Sequence, residues 1–98
     1  MAARQRIALE VQEAYAHLRE ARQLLASWRG QILPQIEEDI RISQKAYAAG
    51  EVPYLFVLET ARRLTDARLR EAEASGALQR ATAQLERAVG RKINERSR

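Results

Sequence analysis

Residues 47–59 read Tyr47-Ala48-Ala49-Gly50-Glu51-Val52-Pro53-Tyr54-Leu55-Phe56-Val57-Leu58-Glu59. This is the one Gly-x-x-Pro break between two long segments rich in Ala, Leu, Glu and Arg. Glycine reaches φ > 0 without a Cβ clash, so Gly50 suits the residue just past a helix end. Proline brings φ near the helical value and has no N–H to lose, so Pro53 suits the first turn of the next helix. Only Glu51 and Val52 lie between them, and a connection that short makes the two segments run antiparallel. The predicted fold is all-α: an antiparallel two-helix coiled-coil hairpin with its tip at 48–53. Within one domain, 1–98, the first helix covers about 4–48, the tip 49–53, the second helix about 54–89, and a tail 90–98.

Upstream, apolar positions step by four and three in strict alternation through Ile7, Val11, Ala14, Leu18, Ala21, Leu25, Trp28 and Ile32. A seam at that spacing stays aligned with a partner helix, as in coiled coils. After Ile32 it slips to Ile36, Ile40, Ser43 and Tyr47, with two successive steps of four. Such a stutter locally unwinds a supercoil. Pro34 sits at the slip and crowds the carbonyl four residues back, that of Gly30. The expectation is a first helix kinked near Gly30–Pro34 rather than a loop, because the seam crosses the site without a polar gap.

Downstream of Pro53 the pattern is less regular. Leu55, Leu58, Ala61 and Leu64 start a stripe, and Ala74, Leu78, Ala81, Leu85 and Ala88 finish it. Leu69, Ala72 and Ala83 lie off that line, as do Leu9, Ala16, Leu24, Leu33 and Ile42 in the first helix. Apolar residues on two faces give each helix more than one neighbour, so the hairpin is expected to self-associate. Gly90 should stop the second helix, leaving a basic tail that frays.

Ninety-eight residues allow one domain at most, and two helices bury only the stripes that face each other. No run approaches the ~20 apolar residues of a membrane-spanning helix, and no apolar leader opens the chain. Cysteine is absent, which removes disulfides and thiolate metal sites. Net charge is +4, distributed as +2 over residues 1–36, −3 over 37–59 and +5 over 60–98. The tip is therefore acidic and the open end basic.

Catalysis finds no support. The sole histidine, His17, has no second imidazole or thiol to complete a metal site. Consecutive acids such as Glu37-Glu38-Asp39 point in different directions on a helix and form a solvated face. No nucleophile–base set and no Gly-rich phosphate loop can be assembled, so neither cofactor nor metal is expected. Most of the fifteen arginines alternate with acids. Arg62-Arg63 and the tail lack aromatic neighbours for base stacking, and no nucleic acid is expected as a partner.

The pattern Tyr-x-x-Gly-Glu-Val-x-Tyr-Leu-x-Val-Leu-Glu, followed by Arg62-Arg63-Leu64 and closing in Leu85-Glu86-Arg87-Ala88-Val89-Gly90, resembles the outer-membrane efflux protein (TolC-like) family. It is similar in particular to that family's heavy-metal efflux branch. The likeness covers about Ile7 to Gly90, one periplasmic hairpin of a much longer member. It implies a passive duct segment in the periplasmic portion of the cell outer membrane, one hairpin of the α-barrel of a tripartite pump. It also implies a tip that docks a periplasmic adaptor (membrane fusion) protein. The implied assembly is a homo-oligomer, a trimer in the full-length context with a dimer open to the fragment; membrane contact would come only through segments outside it.

The family's tip pattern falls on Tyr47, Gly50, Glu51, Val52, Tyr54, Leu55, Val57, Leu58 and Glu59, with Pro53 completing the candidate docking set. Pro53 stands where members commonly carry a Ser or Thr N-cap, and Phe56 where many carry Asp, which leaves Glu51 and Glu59 to supply acidic charge at the tip. The rival from another class is a stand-alone coiled-coil dimerisation module, which would need no particular turn sequence. Of Tyr47, Tyr54 and Phe56, either Tyr47 and one other pack across the helix pair and fix the tip, or some of this surface is exposed for docking, and both can hold for different residues.

Overall fold

In a computed structural model describing residues 2–96, the chain is all-α. Helix α1 spans Ala3–Ser27 and α2 spans Leu33–Ala48, joined through a π-helical turn at Trp28–Ile32. After a short reversal, α3 runs from Tyr54 to Arg96. The segments pair antiparallel as the sequence predicts, and the irregularity expected near Gly30–Pro34 takes the form of that π-turn.

The chain divides into two compact units. The first comprises the described residues of 1–24 and 74–98. Here Ala14, Leu18, Ala74, Ala81 and Ala88 are buried, with Ile7, Val11, Ala21, Leu78 and Leu85 half-buried around them. Two cross-helix contacts record the antiparallel sense. Glu10 Oε2 forms an ion pair with the Arg91 guanidinium at 3.0 Å. His17 Nδ1 lies 3.3 Å from Gln84 Oε1.

The second unit is Leu25–Glu73. Its interior holds Leu25, Ile36, Ser43, Val57, Thr60 and Ala67. Its cross-helix ties are Arg29 Nε to Glu71 Oε1 at 2.7 Å and Arg63 to Asp39 Oδ2 at 3.5 Å. The two buried hydroxyls are satisfied locally. Ser43 donates to the Ile40 carbonyl at 2.8 Å and Thr60 to that of Phe56 at 2.9 Å. Both are small, so no large polar group is desolvated.

Every seam position expected from Ile7 to Ser43 faces inward, as a buried or half-buried residue. The slip after Ile32 amounts to one surplus residue. From 28 and 32 an unbroken four-three alternation would continue 35, 39, 42, whereas the residues turned in are Ile36, Ile40 and Ser43. A π-turn holds one extra residue within a helix. The Leu33 N–H accordingly bonds the Trp28 carbonyl, five positions back. Pro34, which lacks an N–H, follows immediately, where the α ladder would in any case miss a bond.

The first half of α3 departs from the expected stripe. Its inward positions are Val57, Thr60, Leu64, Ala67, Glu71, Ala74, Leu78, Ala81, Leu85 and Ala88, an unbroken three-four alternation. Leu55 and Leu58 point to solvent, 58% and 40% exposed. A small residue recurs at every seventh position from Thr60 to Ala88, between bulkier ones. The small positions let the backbones close in while the larger side chains fill the gaps.

Gly90 does not end the second helix, which continues through it to Arg96. Its φ is not positive, and a lone glycine costs a helix only about 1 kcal/mol. Of the tail expected to fray, Ser97 and Arg98 lie outside the described residues.

Candidate functional site: the reversal and its flanks

The reversal is built by backbone hydrogen bonds that require glycine. Ala49 caps α2, and its N–H reaches the Lys45 carbonyl. Gly50 then takes φ 76°, the single positive φ among the described residues. In that conformation the Gly50 N–H bonds the Tyr47 carbonyl at 2.9 Å and the Glu51 N–H bonds that of Ala46 at 2.9 Å. This pair of bonds closes the last carbonyls of a helix around a left-handed residue. Pro53 precedes α3, and the Phe56 N–H returns to its carbonyl at 3.0 Å.

Across the reversal the rings of Tyr47 and Tyr54 meet, with centroids 5.2 Å apart and planes tilted by 54°. The pair stays about half exposed, so it braces the tip and also presents aromatic surface. Tyr54 is thus the second aromatic that packs with Tyr47. Phe56 is 48% exposed.

The candidate docking residues do not share one fate. Tyr47, Gly50, Glu51, Pro53, Tyr54, Leu55, Leu58 and Glu59 are exposed, and Val52 is half-buried. Val57 is buried in the interhelical seam and has no surface to offer a partner. The first turn of α3 is therefore apolar all round, with one residue facing in and Tyr54, Leu55, Phe56 and Leu58 facing out. Glu51 and Glu59 bring negative charge to its edges.

One feature of this region escapes a reading of the heptad seam alone. Beside the tip, α2 and the turn form a shallow groove lined by Arg41, Ile42, Lys45, Ala46, Ala49 and Glu51. The signal that could have exposed it is the four-three spacing of Ile42, Ala46 and Ala49.

Along α2, charged groups pair with neighbours on the same helix and across the hairpin. Arg41 Nε donates to Glu38 Oε2 at 3.0 Å, and the two side chains also form an ion pair. That hydrogen bond holds the Glu38 carboxyl below the usual range and raises the Arg41 guanidinium. The support this pair lends α2 is present above the ordinary carboxylate range and is lost as pH falls through the lowered value. Asp39 instead accepts from Gln35 at 3.1 Å and faces Arg63, so Glu37-Glu38-Asp39 does not converge on one point. Among the described residues no three His, Asp or Glu side chains are placed to hold a metal ion, and no helix is long and apolar enough to cross a membrane.

Compared with known proteins, residues 1–91 match the family model described as outer membrane efflux protein. No curated protein and no solved structure gives a significant match to the chain.

Proposed function

Because the chain belongs to the outer membrane efflux protein family, we propose that it is a periplasmic α-barrel hairpin of an efflux duct whose tip docks a periplasmic adaptor protein in a tripartite pump. The family is one of transport proteins, and the role proposed here involves no catalytic step. The observation that carries the reading is the solvent-facing set Tyr54, Leu55, Phe56 and Leu58 beside Tyr47, edged by Glu51 and Glu59. Aromatic and aliphatic residues ringed by charge are the composition of a recognition patch. A turn whose only task was to join two helices would not need them outside the seam.

The flanks support assembly into a ring. Leu9, Leu24 and Leu69 are all about half exposed, and we read them as contact faces for neighbouring hairpins in a homotrimer. Assignment to the heavy-metal branch rests on the segment Leu85-Glu86-Arg87-Ala88-Val89-Gly90 and on the tip pattern.

Binding of the chain to the helical hairpin of a cognate adaptor tests the docking role. Leu55→Asp and Leu58→Asp should each abolish binding while helix content stays unchanged. Normal binding by both variants would sink the docking role and leave the stand-alone dimerisation module as the better account.

A further inference from the structure

The seam of α1, continued without a break past Ile32, runs through Gln35, Asp39, Ile42, Ala46 and Ala49. The residues that α2 turns inward are Ile36, Ile40 and Ser43, each one position later. So α2 carries two stripes at seam spacing, offset by a single residue, and the π-turn decides which one faces α3. The outward stripe becomes apolar towards the tip, where Ile42 is 53% exposed and Ala46 half-buried. The inward stripe becomes less apolar over the same stretch. Ser43 is 1% exposed and spends its hydroxyl on its own helix, and Tyr47 at the next seam position is only half covered.

The two halves of α2 therefore prefer different stripes. Near the π-turn the observed register wins clearly, because Ile36 and Ile40 pack inward where Gln35 and Asp39 would otherwise be desolvated. Near the tip the alternative gains, since Ile42 and Ala46 would replace a serine and a half-covered tyrosine. What the alternative loses is visible too: the Asp39–Arg63 ion pair, the Tyr47–Tyr54 ring contact, and the wide turn that spares the Gly30 carbonyl the Pro34 ring. No residue of the π-turn is fully buried; what favours the surplus residue there is Pro34, whose ring would meet the Gly30 carbonyl in an unbroken α-helix.

We propose that α2 is a two-register helix, in which the surplus residue held at Trp28–Ile32 can pass along α2 to the Gly50 turn. In passing it turns the helix about its own axis by one residue, about 100°. The second register buries Ile42 and Ala46, exposes Ser43 and parts Tyr47 from Tyr54. The hairpin thus holds two presentations of its tip, exchanged without melting α3.

The chain contains no cysteine, so single thiols report the register directly. Ser43→Cys and Ile42→Cys are placed separately in the full chain and in a chain lacking Pro34. That deletion removes the surplus residue and makes the α1 seam run straight into Ile36, Ile40 and Ser43, leaving one register. Native-state thiol labelling of the cysteine at position 43 should fall at least about tenfold on the deletion, because its open state disappears. In the full chain, Gln35→Leu with Asp39→Leu should do the reverse, speeding labelling at 43 and slowing it at 42. Equal labelling at 43 with and without Pro34 overturns the proposal, as does labelling that needs global unfolding by its denaturant dependence. If the shortened chain is not helical, the Gln35→Leu/Asp39→Leu chain decides alone, and unchanged rates at both positions overturn it.

Discussion

The amide of Leu33 donates to the carbonyl of Trp28, one residue farther back than an α-helix would reach. That bond reconciles two seams that the sequence puts out of step. Up to Ile32 the inward residues follow one phase; from Ile36 they follow another, later by one. On the opposite helix the phase never changes from Val57 to Ala88. A partner with an unbroken seam needs an unbroken stripe to face, and the wide turn supplies it by carrying one residue outside the count.

The regular small positions of α3 give the first prediction. Ala67 is 2% exposed at a small position of the seam, so Ala67→Leu forces extra methylenes between the paired helices. It should cost about 1–3 kcal/mol in urea unfolding. Ala72→Leu, on the exposed side of the same helix, should stay within about 0.5 kcal/mol of the parent. Equal effects at the two positions would contradict the observed seam.

How much of this was legible in advance depends on how loudly each position speaks. The seam of α1 consists largely of Leu, Ile, Val and Trp, and its spacing alone identifies it. The tip was legible for a similar reason, since Gly50 and Pro53 act through backbone geometry that no neighbour overrides. The first half of α3 was misread because its true seam holds Thr60, Ala67 and Glu71. Those residues score as polar or small beside Leu55 and Leu58, so hydrophobicity drew these two exposed leucines into the stripe, whereas Ala61 and Leu64, also expected there, are half-buried. Val57 stands in the candidate docking set through the family's tip pattern, which marks a position without saying whether it faces in or out; here it is buried.

Glycine has unequal weight along the chain. At Gly50, φ 76° puts a Cβ against the following carbonyl, and Gly50→Ala should cost about 1 kcal/mol or more in stability. At Gly30 and Gly90 an added Cβ meets nothing within 4 Å and φ is not positive. Gly90→Ala should therefore raise the unfolding free energy by up to about 1 kcal/mol, and Gly30→Ala should do no harm. Urea titration of the three variants separates the turn glycine from the two helical ones.

Glu71 is a carboxylate at a seam position, its side chain 23% exposed and held by Arg29. Arg29→Ala leaves that charge without its partner, but Arg29 is itself 57% exposed, so the loss should be modest, about 0.5–1 kcal/mol. Glu71→Leu removes the charge and adds apolar surface at a position spaced for it, and should be neutral or stabilising. In the Glu71→Leu chain, Arg29→Ala should then have almost no further effect. A double-mutant cycle measures the difference, and a coupling near zero would mean that the pair contributes nothing to stability.

Val57 and Leu55 are two positions apart on the first turns of α3 and answer different questions. Val57 is 8% exposed against 58% for Leu55, so a carboxylate placed at Val57 would be buried and one at Leu55 would not. Val57→Asp should destabilise the chain by about 3 kcal/mol or more, through an uncompensated buried charge. Leu55→Asp should leave stability within about 0.5 kcal/mol, because its side chain already stands in water. Loss of adaptor binding by Leu55→Asp at unchanged thermal midpoint would then report the surface itself, whereas loss by Val57→Asp would report only the collapse of the seam beneath it. Should Leu55→Asp lower the midpoint as far as Val57→Asp does, the inward and outward faces of α3 have been assigned the wrong way round.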